Sequence, residues 1–294
     1  MSERDAVLEI SDLRVVLTAD PAIELLRNVS LSVRRGERVG LVGESGSGKS
    51  MLSLSTLGLQ PSAVRIAGGS IKILGQELVG QSEKALDRLR GTAMAMVYQD
   101  PMSSLNPMHT VGRQISEAVL AHDGVSKAAA RRRAIDLLGD VGVRDPSRSV
   151  DSYPHEFSGG MRQRVMIAMA IACEPDLLLA DECTTALDVT TQAKIIELLD
   201  RLVSERHMGV VFVTHDLAVA AGFCDRVAVM RSGRIIEEGP TRDIMTNPSD
   251  GYTHALVNSI CTFETDPDQP MQVFLPGTTD GGSGRPSTSE EGLL

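Results

Sequence analysis

Gly43-Glu44-Ser45-Gly46-Ser47-Gly48-Lys49-Ser50 has the residue types and spacing of a loop that closes around phosphate, G-x-x-x-x-G-K-[ST]. Glycines let backbone N–H groups turn onto phosphate oxygens, and a helix starting at Lys49 adds partial positive charge. The Lys49 ammonium would reach the β- and γ-phosphates of a nucleotide, and Ser50 would ligate Mg²⁺. By itself the motif predicts a phosphate-loop nucleotidase. A chance glycine turn is the alternative, but the flanks speak for a site: 38–42 reads as a short buried strand and 49–59 as a helix.

Leu177-Leu178-Leu179-Ala180-Asp181-Glu182 supplies complementary chemistry. The apolar run predicts a strand buried on both faces, with two carboxylates at its C-terminal end, where open α/β sheets bind ligands. Asp181 would hold Mg²⁺ through its water shell, and Glu182 is placed to polarise an attacking water. Two acids capping a strand in solvent is the plainer alternative.

Phe157-Ser158-Gly159-Gly160-Met161-Arg162-Gln163-Arg164 is the most specific segment. Physically it is a second anion site, a flexible Ser-Gly-Gly ahead of a helix. Simple helix capping would explain Ser158 but not the two glycines. Here the sequence resembles the ATP-binding-cassette family, whose signature motif matches Ser158-Gly159-Gly160; Met161 stands where Gln is commonest. The resemblance implies a head-to-tail dimer, with each ATP held between one subunit's phosphate loop and the other's signature. It implies further roles in the family's order. Gln99 matches the Q-loop and can touch Mg²⁺ or water. Thr185-Ala186-Leu187-Asp188 matches the D-loop at the dimer interface. His215 matches the switch histidine, able to hydrogen-bond the γ-phosphate and hold Glu182's water.

The resemblance spans about residues 8–260 and narrows further. The segments 99–107 and 153–164, with Tyr252-Thr253-His254-Ala255-Leu256, are similar to dipeptide, oligopeptide and nickel permease ATPases. It implies an ATP-hydrolysing subunit of a bacterial importer for peptides or a related small solute, peripheral on the cytoplasmic face of the membrane. The implied partners are two permease subunits, a second homologous ATPase making a heterodimer and, indirectly, an extracytoplasmic solute-binding protein. Three departures stand out. The adenine-stacking aromatic is missing, with Leu17 near its position; Cys183 replaces the usual Pro; and Cys261 lacks the neighbouring cysteines that hold an iron–sulfur cluster in many relatives, so no cluster is expected. A cassette acting on ribosomes or DNA, or a regulatory module without turnover, is the alternative. The first usually carries paired cassettes or coiled coils, and Glu182 with His215 weighs against the second.

The elements that position these residues follow from periodicity. Strands are predicted over 7–17, 28–33, 70–74, 94–98 and 210–213, and a hairpin over 227–238 around Ser232-Gly233. Helices are predicted over 111–121, 126–138 with Ser126 as N-cap, 165–172 and 189–205. The fold expected is α/β: a phosphate-loop (RecA-like) ATPase core at 1–263, an antiparallel β subdomain, an inserted helical subdomain at about 101–157 and a C-terminal extension at about 241–263. Residues 264–294, rich in Gly, Ser, Thr, Pro and acid, read as a disordered tail. The 294 residues, 42% hydrophobic, suffice for a large core. A net charge of -10 argues against nucleic acid as a partner. The four cysteines lack metal spacing and are expected as reduced thiols. No signal peptide is expected, and the longest apolar run, Val165 to Cys173, falls far short of the roughly 20 residues a membrane span needs.

Overall fold

The computed structural model describes residues 6–185 and 187–260. The predicted tail, Cys261 and the end of the predicted extension lie outside them. In chain order the elements are strands β1 (Ala6–Leu17), β2 (Glu24–Arg34) and β3 (Arg38–Val42), helix α1 (Lys49–Leu57), strands β4 (Val64–Ile73) and β5 (Gln76–Glu77), helix α2 (Glu83–Leu89) and strand β6 (Met94–Val97). Helices α3 (Pro101–Ser104), α4 (Val111–His122), α5 (Lys127–Asp140), α6 (Pro146–Ser149) and α7 (Gly159–Ala170) follow. Then come strand β7 (Leu177–Asp181), helix α8 (Val189–Arg206), strand β8 (Gly209–Thr214), helix α9 (Leu217–Phe223), strands β9 (Arg226–Arg231) and β10 (Arg234–Pro240), and helices α10 (Thr241–Thr246) and α11 (Gly251–Asn258).

Two sheets form because two hydrophobic patterns are present. β1 and β2 alternate: Val29, Leu31 and Val33 are buried while Ser30, Ser32 and Arg34 face out. They build an antiparallel sheet in the order β2-β1-β4-β5. β6, β7 and β8 are buried throughout, as strands covered on both faces must be. They belong to the second sheet, ordered β10-β9-β3-β8-β7-β6, parallel except for β10.

The period of two sends neighbouring residues of the parallel sheet into different cores. Ala95, Leu178, Ala180, Phe212, Val227 and Val229 pack with helices α4, α5, α7, α8 and α9. Met94, Met96, Leu177, Leu179, Val211, Val213 and Met230 pack with α1 and the antiparallel sheet. The result is a three-layer body whose central strands end beside α1.

Structure and expectation differ in detail. The strand predicted over 70–74 begins earlier, at Val64, so Gly68-Gly69 lies within β4. A bulge there sets Ser11 opposite Ser70 and Arg14 opposite Gly68, and a Cβ on Gly69 would sit 2.5 Å from Leu13 Cα. Helices α2, α3, α6, α9, α10 and α11 have no counterpart among the individually predicted helices. Ser126 does cap α5, accepting from Ala129 N at 3.2 Å, and Thr110 caps α4 in the same way. Within α5, Arg131 makes a bidentate pair with Asp151 and Arg133 reaches Glu174, both at the surface. None of the helices among the described residues is long and apolar enough to cross a membrane.

The antiparallel sheet touches the core at Gly209, where an added Cβ would lie 2.5 Å from Val7 Cγ2 and 2.8 Å from Arg34 O. Gly209→Ala should lower stability by about 1–3 kcal/mol in urea unfolding, as overpacking does. Gly222→Ala, in α9 with open space around it, should raise stability by about 0.5–1 kcal/mol. Equal effects would remove the contact at Gly209 from its structural role.

Candidate nucleotide-binding and catalytic site

β3 delivers the chain, fully buried, to Gly43. Only glycine fits there, because a Cβ would lie 2.1 Å from Met230 O on β9. The loop then folds on itself, with Ser47 N donating to Glu44 O at 3.1 Å, and Gly233 N from the β9–β10 turn holds Ser47 O at 2.8 Å. Gly48 caps α1 in a left-handed conformation (φ 112°), and no side chain occupies the helix's first N–H groups. Lys49 is buried, its Nζ donating to Gly43 O at 2.7 Å and Glu44 O at 3.0 Å. Burial pushes its pKa down, while Glu182, Asp181 and Glu44 pull the other way. The ammonium is thus parked on loop carbonyls, where an anion can draw it off.

β7 brings up the acids. Asp181 is buried and accepts from Ser50 Oγ at 3.3 Å. Burial raises its pKa; the Ser50 hydrogen bond and Lys49 oppose the rise and Glu182 adds to it. Glu182 steps out of the strand in a left-handed conformation (φ 46°), a strained state for a non-glycine residue, with its N–H held by Val213 O at 2.9 Å. The turn aims its carboxylate at the groups that the resemblance singled out. Gln99 Nε2 donates to Glu182 Oε2 at 3.1 Å, His215 Nδ1 lies 3.6 Å from the same oxygen, and Thr185 Oγ1 lies 3.5 Å away.

A cleft of about 400 Å³ opens over this group, lined by Leu25, Ser45, Gly46, Gly48, Lys49, Ser50, Met51, Gln99 and Glu182. The donor set fits Mg²⁺. Ser50 and Asp181 offer hard oxygen atoms beside the loop, and an ion that keeps its waters and binds phosphate needs few protein ligands. Among the described residues no cluster of three or more His, Cys, Asp or Glu is placed to hold a metal alone.

The remaining predicted residues stand apart from this cleft. Ser158 is exposed at the N-terminus of α7 and makes no capping hydrogen bond with its hydroxyl. Gly159 is open, whereas Gly160 is a close-approach glycine: its Cβ would lie 2.5 Å from Thr191 Cγ2 on α8. Thr191 in turn donates from N and Oγ1 to Asp188, at 2.9 and 2.7 Å. Signature and D-loop therefore form their own cluster.

The surroundings of several residues could not be read from the sequence. Leu17, near the adenine position that the resemblance implies, packs half-buried against the core, as does Leu25 of β2, which also lines the cleft. Nothing in local composition distinguishes the two. Cys183 is buried with its thiol pushed up to about 12 by burial, so it fills core volume where Pro was expected and is no nucleophile. The phenol of Tyr252 accepts a hydrogen bond from Glu44 N at 3.1 Å, a contact across 208 positions that periodicity does not carry.

Two outcomes follow for turnover and base selection. Glu182→Gln should retain ATP binding yet lose about 10²–10⁴-fold in kcat, since an amide cannot take the water's proton; near-normal steady-state hydrolysis would exclude it as the base. With aliphatic Leu17 near the position where the resemblance implies an adenine-stacking aromatic, no stacking of about 1–3 kcal/mol selects the base, so ATP and GTP should bind within about tenfold of each other. A strong ATP preference in equilibrium titrations would contradict that.

Comparison with known proteins shows the family of the chain. A family model described as ABC transporter matches residues 26–185. The dipeptide transport ATP-binding protein of Escherichia coli (strain K12) is 47% identical over 283 residues, covering 96% of this chain and 86% of the relative. The oligopeptide transport ATP-binding protein of the same organism is 43% identical over 276 residues, covering 94% and 81%. Among solved structures, a dimeric ATP-binding cassette in a post-hydrolysis state bound to ADP and Pi matches with a TM-score of 0.70 at 30% identity, covering 80% of this chain and 99% of that one. The chain belongs to the ABC transporter family, as an ATP-binding and ATP-hydrolysing subunit.

Proposed function

We propose that the chain couples ATP binding and hydrolysis to the uptake of peptides or a related small solute through a separate membrane permease. The observation that carries this is the convergence of two pairs beside Lys49: Ser50 with Asp181, and Gln99 with Glu182. The similarity to dipeptide and oligopeptide transport ATP-binding proteins supports the substrate class.

In the proposed mechanism Lys49 leaves the carbonyls of Gly43 and Glu44 for the β- and γ-phosphates, and the loop N–H groups close on the oxygens. Mg²⁺, when bound, would supply charge neutralisation on the phosphates, and Ser50, Asp181 and Gln99 would hold it. Glu182 takes the proton of the attacking water, oriented by Gln99, while His215 fixes the γ-phosphate. The nucleotide's far side is covered by Ser158, Gly159 and Gly160 of a second ATPase subunit, and Asp188 contributes at the same interface. The exposure of Ser158 and its unused hydroxyl support this division.

Coupling runs through Gln99. The next residue, Asp100, caps α3 by accepting from Met102 N at 2.8 Å, so a shift of Gln99 pulls on the helices that follow. Tyr98, Met102 and Met108 are apolar side chains exposed on this flank, Met108 to 79%, and suit a permease contact at the cytoplasmic membrane face.

The assembled complex tests the proposal. Lys49→Ala should weaken ATP binding and stop peptide uptake by reconstituted vesicles. Alone, the chain should be mostly monomeric and slow in turnover; with a homologous ATPase and two permease subunits it should accelerate. A stable homodimer that is fully stimulated on the permease would contradict the heterodimer. Copurification with ribosomes or DNA and no permease would contradict transport.

A further inference from the structure

We propose that Tyr252 is a positioning residue for the phosphate loop, and that α11 ties the shape of that loop to the segment following the core. Tyr252 is among the largest fully buried side chains, 2% exposed. It stands in the first turn of α11, where its own N–H donates to the Asp250 side chain at 2.8 Å. The Glu237 carboxylate accepts from Ser249 N at 2.6 Å and Asp250 N at 3.1 Å, which fixes the entry into the helix. The Arg231 guanidinium lies 4.9 Å from the ring centre, a cation–π contact at the end of β9. The helix start is therefore held through its backbone and the ring is covered by Arg231, so the hydroxyl oxygen has a fixed place.

That oxygen accepts the N–H of Glu44, inside the phosphate loop. The carbonyl of the same residue receives Lys49 Nζ at 3.0 Å and Ser47 N at 3.1 Å. Glu44 is thus gripped by Lys49 from within the loop and by Tyr252 from behind it. When phosphate draws the Lys49 ammonium away, the grip from behind remains and keeps the Glu44 amide turned from the cleft. Phenylalanine would fill the same volume, so the buried hydroxyl owes its stability to the loop it binds.

The far end of α11 meets the second loop that senses phosphate. Leu256, Ser259 and Ile260 line a cleft of about 400 Å³ together with His215, Asp216, Leu217 and Ala218. One short helix so touches the loop after β3 at its start and the loop after β8 at its end.

The inference rests on Gly43 to Ser50 being the ATP loop, and the test separates the two. In the full chain, assembled with its partners, Tyr252→Phe should raise the Kd for ATP about threefold to tenfold, the effect of one lost net hydrogen bond. The kcat at saturating ATP should stay close to wild type, because Glu182, Gln99 and His215 are untouched. Amide exchange at Glu44 should accelerate while the β3 amides stay protected, a local loosening that general destabilisation would not produce. Unchanged ATP affinity and unchanged Glu44 exchange in Tyr252→Phe, with Lys49→Ala unable to bind ATP, would overturn the inference and leave the phosphate loop standing. Normal ATP binding in both variants would overturn both. Exchange that quickens across β3 as well would assign Tyr252 a merely structural role and overturn the inference too.

Discussion

Parallel pairing of β3, β8 and β7 sets where the loop from Gly43, the acids Asp181 and Glu182, and His215 stand. Val42 lies opposite Thr214, and Val213 opposite Asp181, so Gly43, Glu182 and His215 leave the sheet at nearly one level. The register holds because each strand is buried on both faces and its odd and even residues fill different cores. A slip of one residue in β7 would send Asp181 to the helix side and Ala180 toward α1. The chemistry is thereby fixed by apolar packing well below it, and the loops need to supply only short reaches: Lys49 to its own carbonyls, Ser50 to Asp181, Gln99 to Glu182.

Strain sits where this arrangement demands it. Glu182 takes a left-handed conformation immediately after the strand, with its N–H still held by Val213 O. An extended backbone would alternate its side chain away from Asp181; the turn puts both carboxylates near the loop. Burial raises the pKa of Asp181 and lowers that of Lys49, so each charge is costly until a partner arrives. Such a site gains by accepting an anion with its cation, which is what a nucleotide with Mg²⁺ offers.

Much of this was legible in the sequence, for identifiable reasons. Lys49, Ser50, Asp181 and Glu182 are contiguous with apolar runs that can only be buried strands, so motif and context were read together. Gln99 and His215 were legible only through family resemblance, since a lone Gln or His after a strand has no pattern of its own. That Leu25 lines the cleft beside the phosphate loop was not legible, because it lies in an alternating strand like its neighbours and pairing across the hairpin decides. Gly160 read as flexibility, yet it serves close approach to Thr191. Tyr252 was noticed as part of a subfamily pattern, while its contact with Glu44 depends on the folded path of over two hundred residues.

The signature and D-loop form a cluster of their own through Gly160, Thr191 and Asp188, and none of them lines the cleft around Lys49. On the proposed reading one chain carries one half of each of two sites, and its central claim is that Ser158 serves a nucleotide bound elsewhere. The most direct measurement compares Ser158→Arg in two settings: equilibrium ATP binding by the isolated chain, and ATP hydrolysis by the assembled complex. The account predicts unchanged binding by the isolated chain and a severe loss of hydrolysis in the complex. Loss of ATP affinity in the isolated chain as complete as that of Lys49→Ala would place Ser158 at its own chain's nucleotide and contradict the account.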